Sequence, residues 1–421
     1  MDDSRKASLQ IIKNILENKD FSGLNNFFLP KKEDAAFVTM LIMSTLRNLV
    51  YIRKTLKSYM RKKLSSQNNI CQYALILGTT ELLYMQTPNY AIINSYVDIV
   101  KRETNSFIAG FVNAVLRQIS KNKLEIIKND TKEFFPQNFR TLLRKSYSSK
   151  TIIEIEKIAK KEPLLDITCI NTDSAEKLQG KLLPLGTIRL STKGKISLLA
   201  DYQKGTWWVQ DFSSSLAVKM LKDIQNKKVL ELCSAPGGKT AQLLSLGAQV
   251  TCVDISKERL QTLSENLNRL NLKPEKIICA DGVEFLKQNT EKYDIVLLDA
   301  PCSATGTLRR HPEIVHTKTI DDIIKLATLQ KDFLTHIDSA LKNNGIILYC
   351  TCSLCKDEGE NQINHFLNNH KNYKIIPLND RVPHELSPIV TKEGFLRILP
   401  HHLASFGGAD GFFIACLQKE G

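Results

Sequence analysis

The spacing of hydrophobic and polar positions divides the chain into a helical front part and an alternating back part. Up to about residue 120, apolar side chains recur every three or four positions, which predicts amphipathic helices. The predicted helices are RKASLQIIKNILEN, DAAFVTMLIMSTLRNLVYIRKTLKSYM, NICQYALILGTTELLYM, AIINSYVDIVKRE and IAGFVNAVLRQI. We therefore expect an all-helical N-terminal domain over residues 1–125.

The back part, residues 206–421, alternates short apolar runs with helical stretches such as KTAQLLSLG and SKERLQTLSENLNRL. Five runs of β-branched or aliphatic residues predict strands: KVLELC, QVTCVD, KIICAD, YDIVLLDAP and GIILYCTCS. Strands separated by helices predict a parallel, doubly wound α/β sheet of the Rossmann-like type. Its ligands bind outside the carboxyl ends of the strands.

A shorter segment of mixed character, residues 126–205, connects the two parts. SKTIIEIEKIAKKE predicts a helix, LLDITCIN a strand, and SAEKLQGKLLPLG a second helix that stops at Pro and Gly. We expect a small α+β connector here, and hence three domains: 1–125, 126–205 and 206–421.

The charge of the chain indicates a polyanionic partner. The formal net charge is +14, and within residues 1–124 the 18 Lys and Arg less the 9 Asp and Glu give +9 of it. Clustered cations release phosphate counterions on meeting nucleic acid, so the front domain is the candidate RNA-binding part. The run RKTLKSYMRKK concentrates six of these cations around one tyrosine: Arg53, Lys54, Lys57, Arg61, Lys62 and Lys63.

The sequence also predicts the cellular compartment of the protein. No secretion signal opens the chain and no apolar run predicts a membrane span, so we expect a soluble, cytoplasmic protein. Ten cysteines in such a protein are expected to be reduced. The cluster LYCTCSLC, with Cys350, Cys352 and Cys355, is therefore a metal site or carries a nucleophile. Zinc is disfavoured because the cluster offers three ligands and no nearby histidine.

Three strand ends predict a nucleoside site. ELCSAPGGKTAQLL lacks the glycine spacing of a P-loop or a dinucleotide fingerprint, but Pro236, Gly237 and Gly238 allow a ligand close to the backbone. Asp254 ends the second strand, where a carboxylate can accept both ribose hydroxyls, and Asp281 ends the third, where it can meet an adenine amino group. An adenosine site without a phosphate cradle fits S-adenosylmethionine.

Both ends of the chain resemble known sequences. ALILGTTELLYMQTPNYAIINSYVDIVK followed by GFVNAVLR resembles the NusB-type helical domain at the front of bacterial ribosomal RNA cytosine-5 methyltransferases. APGGK, DAPCSATG, RRHPE and TCS then match the RNA cytosine-5 methyltransferase family in order and spacing, and RILPHH and DGFFIACL extend the match. The resemblance implies a NusB-like domain, an RRM-like connector and a class I methyltransferase domain.

The resemblance also implies roles for residues of the last domain. Cys352 would be the nucleophile and Cys302 would assist product release, while Asp299 would hydrogen-bond the cytosine edge and lie near the cofactor. Arg259 would help to fix the ribose or the carboxylate of the cofactor. The methionine part of S-adenosylmethionine would contact the segment Cys233, Ser234, Ala235, Pro236, Gly237, Gly238 and Lys239.

We therefore expect an S-adenosylmethionine-dependent enzyme that makes 5-methylcytosine in 16S rRNA, either naked or in an early small-subunit particle. We expect it to be a monomer and to need no metal. Two alternatives stay open. One is a DNA or tRNA cytosine-5 methyltransferase; in the DNA enzymes the nucleophile is the Pro-Cys cysteine, here Cys302. The other is a non-catalytic RNA-binding ribosome assembly factor.

Overall fold

The computed structural model describes residues 2–19, 32–60, 69–170, 177–191 and 195–421. The chain forms two compact units: Met1–Leu142 with His311–Lys318, and Leu143–Arg310 with Thr319–Gly421. The segment His311–Lys318, which begins with HPE of the motif RRHPE, therefore belongs to the N-terminal unit. Of the six cations in RKTLKSYMRKK, Arg61, Lys62 and Lys63 lie outside the described residues. The domain boundaries at 125 and 205 stay predictions.

The described part of the first unit is helical, as predicted. Its helices are α1 (Asp2–Asn18), α2 (Lys32–Tyr59), α3 (Asn69–Tyr84), α4 (Asn89–Glu103), α5 (Ser106–Lys121) and α6 (Lys123–Lys128), with the short helix Ile314–Thr317. Helix α7 (Gln137–Arg144) crosses the boundary between the units in the chain. Helix α3 is apolar on all sides because α1, α2, α4 and α5 all pack on it.

Helix α2 is the longest described helix of the first unit. By length and composition alone, the stretch Asp34–Tyr59 could cross a membrane. Here its apolar side chains Leu41, Ile42, Leu46 and Leu49 are fully buried in the core that α2 shares with α1 and α3. This packing explains the apolar composition of α2, which is a core helix.

A buried ion pair links α1 to α3 inside this helical core. The Arg5 guanidinium donates to both carboxylate oxygens of Glu81, over 3.0 Å and 2.6 Å. Both side chains are almost fully buried. The guanidinium also lies within 6 Å of the ring centres of Phe37 and Tyr96, at 5.7 and 5.8 Å. Since a buried charge without its partner is costly, this pair constrains how α1 packs.

The second unit begins with helix α8 (Ser149–Ala159) and a small antiparallel sheet in the order β2-β3-β1-β4. Its strands are β1 (Leu165–Cys169), β2 (Lys181–Leu182), β3 (Ile188–Leu190) and β4 (Trp207–Val209). The helix predicted over SAEKLQGKLLPLG is wrong for most of its described part, which contains β2. Gly180 explains the difference, because a Cβ there would lie 2.3 Å from Ile188 of β3.

A charged pair holds this small sheet to the C-terminal part of the same unit. Arg189 of β3 donates to both oxygens of Asp166 of β1, each over 2.6 Å. The same guanidinium donates to the carbonyls of Phe406 and Gly408, over 2.7 and 2.6 Å. All four hydrogen bonds are buried or nearly so, and together they fix the small sheet to the 406–408 loop.

The large sheet of the second unit has the order β10-β12-β9-β8-β5-β6-β7, with β11 paired to β12. The five strands predicted from sequence are the parallel strands β5 to β9, and β12 joins them antiparallel beside β9. The elements are α9 (Phe212–Lys219), β5 (Lys228–Leu232), α10 (Gly238–Ser245), β6 (Gln249–Asp254), α11 (Lys257–Arg269), β7 (Lys276–Cys279), α12 (Gly282–Gln288), β8 (Tyr293–Asp299), α13 (Ile320–Ile337), β9 (Leu341–Thr351), α14 (Glu360–Asn369), β10 (Tyr373–Ile375), β11 (Leu396–Ile398) and β12 (Phe412–Lys419).

Both faces of this sheet are buried, so its strands are apolar without alternation. In β8, Ile295 and Leu297 join the core on one face, whereas Val296 and Leu298 join the core on the other. A parallel sheet covered by helices on both faces predicts such continuous apolar runs. The covered sheet therefore leaves its carboxyl edge as the place for polar chemistry.

We predict that Arg5→Met destabilises the first unit by about 3–5 kcal/mol, because it leaves the buried Glu81 carboxylate without its partner. Hydrogen exchange of the α1–α5 amides and urea unfolding of the full chain would measure this. The control is Lys6→Met, which removes an exposed ion pair with Glu103 at 2.9 Å and is expected to cost less than about 1 kcal/mol. Equal losses in the two variants would contradict the prediction.

Candidate active site

The turn between β5 and α10 carries the first group of predicted site residues. Cys233 and Gly237 have positive φ angles, 59° and 98°, so the backbone folds back sharply before the helix begins. At Gly237 a Cβ would also lie 3.0 Å from Leu263, so glycine suits the turn on both counts. The turn contributes the segment Ser234, Ala235, Pro236, Gly237, Gly238 and Lys239 to one cavity wall.

Asp254, at the end of β6, is tied to this turn. Its buried carboxylate accepts hydrogen bonds from the backbone N–H groups of Ala235, over 3.1 Å, and Ser256, over 3.0 Å. A guanidinium nitrogen of Arg259 lies 3.7 Å from the same carboxylate, and Arg259 also donates to the Ala235 carbonyl. The predicted ribose carboxylate thus organises the glycine turn as well.

Asp281 lies at the end of the neighbouring strand, β7, and begins α12. Its Oδ1 accepts from the backbone N–H groups of Val283 and Glu284, over 2.9 and 3.0 Å, which makes it the N-cap of that helix. Asp254 and Asp281 line one cavity of about 400 Å³. Its apolar wall comprises Val253, Ile255, Leu326, Leu329 and Phe333.

The ends of β8 and β9 bring the two key cysteines together. Asp299 of β8 is the register partner of Cys350 of β9, and the Cys350 thiol donates to Asp299 Oδ1 over 3.5 Å. The loops that leave these two strands carry Cys302 and Cys352, whose sulfurs are 3.4 Å apart. Both cysteines are half-buried. The hydrogen bond to Cys352, and then burial, raise the pKa of Cys302 well above its ordinary value.

A buried lysine faces Asp299. The Lys239 ammonium donates to Asp299 Oδ2 over 2.7 Å and lies 5.3 Å from the ring centre of Phe412. Burial alone would lower the pKa of Lys239, but the Asp299 carboxylate outweighs it, so the pKa is raised. Lys239 is therefore a fixed positive charge next to Asp299.

Glu231, on β5, is a second buried carboxyl group in this region. Burial raises its pKa to about 8, although a hydrogen bond from Thr240 and the charge of Lys239 act in the opposite direction. Thr240 Oγ1 donates to Glu231 Oε2 over 2.6 Å. With this pKa, Glu231 carries a proton at neutral pH.

Two adjoining cavities collect all the predicted site residues. The second cavity, of about 360 Å³, is lined by the glycine turn, Gln210, Arg310 and Phe412, among others. Asp299, Cys352 and Arg259 line both cavities. Cys302 and Cys233 line the one that also holds Asp254 and Asp281.

Three ionisable groups near the site were not predicted from sequence. Glu231 lies inside an apolar strand, Arg310 is held by two hydrogen bonds to the buried Asp410, and Glu358 is fully buried behind the cysteines. Two of them could have been identified only by their positions relative to the motifs: Arg310 is part of RRHPE, and Glu358 lies five residues after TCS. Their contacts depend on the tertiary structure.

The other five cysteines of the chain differ in how far they are buried. Cys71, Cys252 and Cys416 are buried, but Cys169 is half-buried and Cys279 is exposed. Cys279 differs because it ends β7, the edge strand of the large sheet. Among the described residues, no three His, Cys, Asp or Glu side chains are grouped to hold a metal ion.

The sheet and cavities define a class of protein. A doubly wound sheet closed by one antiparallel strand, with a cavity lined by a glycine turn and two strand-end carboxylates, is the architecture of a Rossmann-like, S-adenosylmethionine-dependent methyltransferase. Residues 218–418 match the family model for 16S rRNA methyltransferase RsmB/F, and residues 2–121 match that of the NusB family. The chain belongs to the RsmB/F family of rRNA methyltransferases and carries an N-terminal NusB-family domain.

Individual relatives agree with this assignment over almost the whole chain. The chain is 31% identical over 413 residues to ribosomal RNA small subunit methyltransferase B of Photorhabdus laumondii, which covers 92% of this chain and 91% of the relative. It is 28% identical over 449 residues to the probable ribosomal RNA small subunit methyltransferase B of Bacillus subtilis, covering 100% and 96%.

Solved structures share the fold. The structure of PH0851 superposes with a TM-score of 0.75 at 21% identity, covering 98% of this chain and 97% of that one. NSun6 from Pyrococcus horikoshii with SFG gives a TM-score of 0.57 at 21% identity, covering 68% and 99%. The predicted fold class is therefore confirmed for both the helical and the α/β part.

We predict that Glu231→Gln becomes more stable relative to the wild type as the pH rises from about 5 to about 9. The pKa of Glu231 is raised from 4.5 to about 8 on folding, so its stabilising proton is fully present at low pH. That contribution declines as the pH rises through this window, whereas glutamine has no proton to lose. Melting temperatures at three pH values would measure the effect, with the exposed Glu275→Gln as control. A pH-independent difference would contradict it.

Proposed function

We propose that the protein transfers a methyl group from S-adenosylmethionine to C5 of a cytosine in 16S rRNA, through a covalent bond between Cys352 and C6 of the base. Cys302 assists release of the product, and Asp299 holds the cytosine edge. The observation that carries the proposal is the 3.4 Å separation of the Cys302 and Cys352 sulfurs in the same cavity as Asp299.

The chemistry requires a nucleophile of this kind. Cytosine C5 is too weak a nucleophile to accept a methyl group, and attack by a thiolate at C6 converts the ring into an enamine that can. After methyl transfer a base removes the proton from C5, the C6–S bond breaks, and its electron pair returns to sulfur. Two adjacent cysteines supply one group for the covalent bond and one for proton handling.

The environments of the two sulfurs support giving the covalent role to Cys352. The hydrogen bond to Cys352 raises the pKa of Cys302, which favours the thiol form of Cys302. Cys352 lines both cavities and faces the one that contains Arg310. A guanidinium there supports a thiolate and the negative charge that develops on the attacked ring.

Asp299 and Lys239 form the proposed site for the cytosine edge. The exocyclic amino group of cytosine can donate to Asp299, whose orientation is fixed by hydrogen bonds from Lys239 and Cys350. The Lys239 ammonium, held at 2.7 Å from Asp299, adds positive charge where the ring becomes more negative.

The residues of the two adjoining cavities together fit S-adenosylmethionine. Asp254 and Asp281 would hold the ribose hydroxyls and the adenine amino group, and the apolar wall that includes Ile255 and Phe333 would cover the base. The glycine turn, with Lys239 and Arg259, would hold the methionine part. S-adenosylmethionine supplies an electrophilic methyl group when bound.

The N-terminal unit would select the RNA. Arg53, Lys54 and Lys57 lie on the last turns of α2 with exposed side chains, where they can reach phosphate groups. The relatives named ribosomal RNA small subunit methyltransferase B support the small-subunit rRNA as substrate. We place the enzyme in the cytoplasm, where this RNA is assembled, and propose that it acts as a monomer without a metal ion.

We predict that Cys352→Ala loses methyl transfer, whereas Cys302→Ala accumulates a covalent protein–RNA adduct because release is blocked. The assay uses labelled S-adenosylmethionine and unmodified 16S rRNA, with denaturing gels for adducts and nucleoside analysis for 5-methylcytidine. Cys279→Ala, which removes an exposed cysteine outside both cavities, is the control and is expected to keep activity.

Other outcomes separate the alternatives. An active Cys352→Ala together with an inactive, adduct-free Cys302→Ala would reverse the two roles, as in DNA cytosine-5 methyltransferases. Label in another nucleoside would exclude the C5 assignment, and transfer to tRNA alone would change the substrate. No transfer by the wild type to any RNA would favour a non-catalytic assembly factor.

We predict that changing Arg53, Lys54 and Lys57 to Gln weakens binding to 16S rRNA and reduces the salt dependence of binding. Each lost phosphate contact lowers the slope of log K against log salt by about 0.7–0.9. The control changes three exposed lysines of the second unit, Lys273, Lys371 and Lys374, to Gln. The same loss in both triple variants would refute a specific role of α2, and cofactor binding is expected to stay constant.

A further inference from the structure

A fully buried carboxylate lies behind the two cysteines. Glu358 follows β9 in a short 3₁₀ turn, Lys356–Glu358, and has no exposed surface. Its Oε1 accepts from the backbone N–H of Ser303 over 2.8 Å and from Gln330 Nε2 over 3.3 Å. Its Oε2 accepts from the hydroxyls of Ser353, over 2.6 Å, and Ser303. Four donors thus converge on one carboxylate.

Two of the residues that donate are the neighbours of the reactive cysteines. Ser303 follows Cys302, and Ser353 follows Cys352. The loops that carry them leave different strands, β8 and β9, and Glu358 accepts from both. One side chain therefore joins the two loops directly behind the sulfurs.

The same network holds the backbone on the other side of Cys302. Gln330 Nε2 donates to the Pro301 carbonyl over 2.8 Å, in addition to Glu358. The Tyr349 hydroxyl can donate to Gln330 Oε1, over 3.2 Å, or to the Glu358 carbonyl, over 2.9 Å. Residues on both sides of Cys302 are consequently fixed relative to β9 and to Glu358.

We propose that Glu358 is a positioning residue that sets the spacing of Cys302 and Cys352 and thereby couples the covalent step at Cys352 to release through Cys302. Its catalytic consequence rests on the function proposed above. The spacing itself does not, because it is a property of the free protein.

The charge of Glu358 acts in the same direction as its hydrogen bonds. After the hydrogen bond to Cys352 and burial, the negative charges nearby, Glu358 among them, raise the pKa of Cys302 further. A neutral side chain at 358 would both loosen the loops and make Cys302 easier to deprotonate. A buried carboxylate is costly to maintain, and here three of its four hydrogen-bond donors belong to the cysteine loops.

The test compares Glu358→Gln with Asp357→Asn. Glutamine keeps the shape and one acceptor oxygen, but places an NH₂ group where two hydroxyls now donate. Asp357 is the exposed neighbour, so Asp357→Asn removes the same charge one residue earlier without touching the network. Full-length protein is used throughout, with melting temperatures as the check on folding.

The first readout is the spacing of the sulfurs and needs no RNA. Treatment with diamide oxidises the two thiols to a Cys302–Cys352 disulfide, while the azo bond of diamide takes up the two protons and two electrons and becomes a hydrazine. Mass spectrometry of the linked peptides gives the rate. We expect Glu358→Gln to slow this step about tenfold or more, since loose positioning lowers the effective concentration of one thiol near the other. Asp357→Asn is expected to match the wild type.

The second readout is how much of the enzyme accumulates as covalent protein–RNA adduct during turnover. In Glu358→Gln we expect kcat to fall by about ten- to a hundredfold, with KM for RNA unchanged and protein–RNA adduct accumulating as in Cys302→Ala. A disulfide rate and an adduct fraction equal to those of the wild type would overturn the proposal. So would equal defects in Asp357→Asn.

A second pair of variants covers the case in which Glu358→Gln does not fold. Ser353→Ala removes the hydrogen bond from the Cys352 loop to Glu358, together with the contacts of the same hydroxyl with Ser303, Thr305 and the Cys355 N–H. It is expected to slow disulfide formation and release in the same direction, by about threefold or more. No change in Ser353→Ala would count against the proposal. If neither wild type nor any variant reacts with RNA, the proposed function fails, whereas the disulfide rates still decide the role of Glu358.

Discussion

The parallel pairing of β8 with β9 is the constraint on which the active site depends. Because Asp299 and Cys350 are register partners, the two strands end level at one edge of the sheet. The backbone continues the pairing beyond the strands, as Ala300 N–H donates to the Cys350 carbonyl over 2.9 Å and Gly306 N–H to the Cys352 carbonyl over 2.8 Å. Cysteines 50 residues apart in sequence are therefore neighbours in space.

The same edge gathers ionisable groups that would be costly to bury singly. Lys239 is compensated by Asp299, Asp254 by two backbone N–H groups and Arg259, and Glu231 by retaining a proton. In each case the compensating groups belong to the strand ends or to the glycine turn, which are part of the fold itself. The doubly wound fold therefore supplies both the position of the chemistry and the polar partners that make a charged, partly buried site stable.

Hydrophobic periodicity was sufficient to predict helices α1 to α5 of the first unit and the five parallel strands, because each segment buries a face or stripe of its own. It failed over most of the described residues 177–186, where Gly180 packs closely on β3 and the short strand β2 has no pattern long enough to detect. The site residues that motifs identified all line the two cavities. Glu358 could not be found in this way: Asp357 and Glu358 are adjacent acidic residues, yet the first is exposed and the second is fully buried.

The two cysteines are chemically alike, so the different roles proposed for them must come from their surroundings. Cys302 lies on the loop that Glu358 anchors. Its hydrogen bond to Cys352 and the nearby negative charge of Glu358 both favour the thiol form of Cys302. Cys352 lines the cavity that contains the Arg310 guanidinium, which the buried Asp410 holds in place. The surroundings of Cys302 therefore favour its thiol form. The proposed nucleophile and the proposed release group thus differ in the charges around them, with one carboxylate behind the cysteine pair and one guanidinium in front.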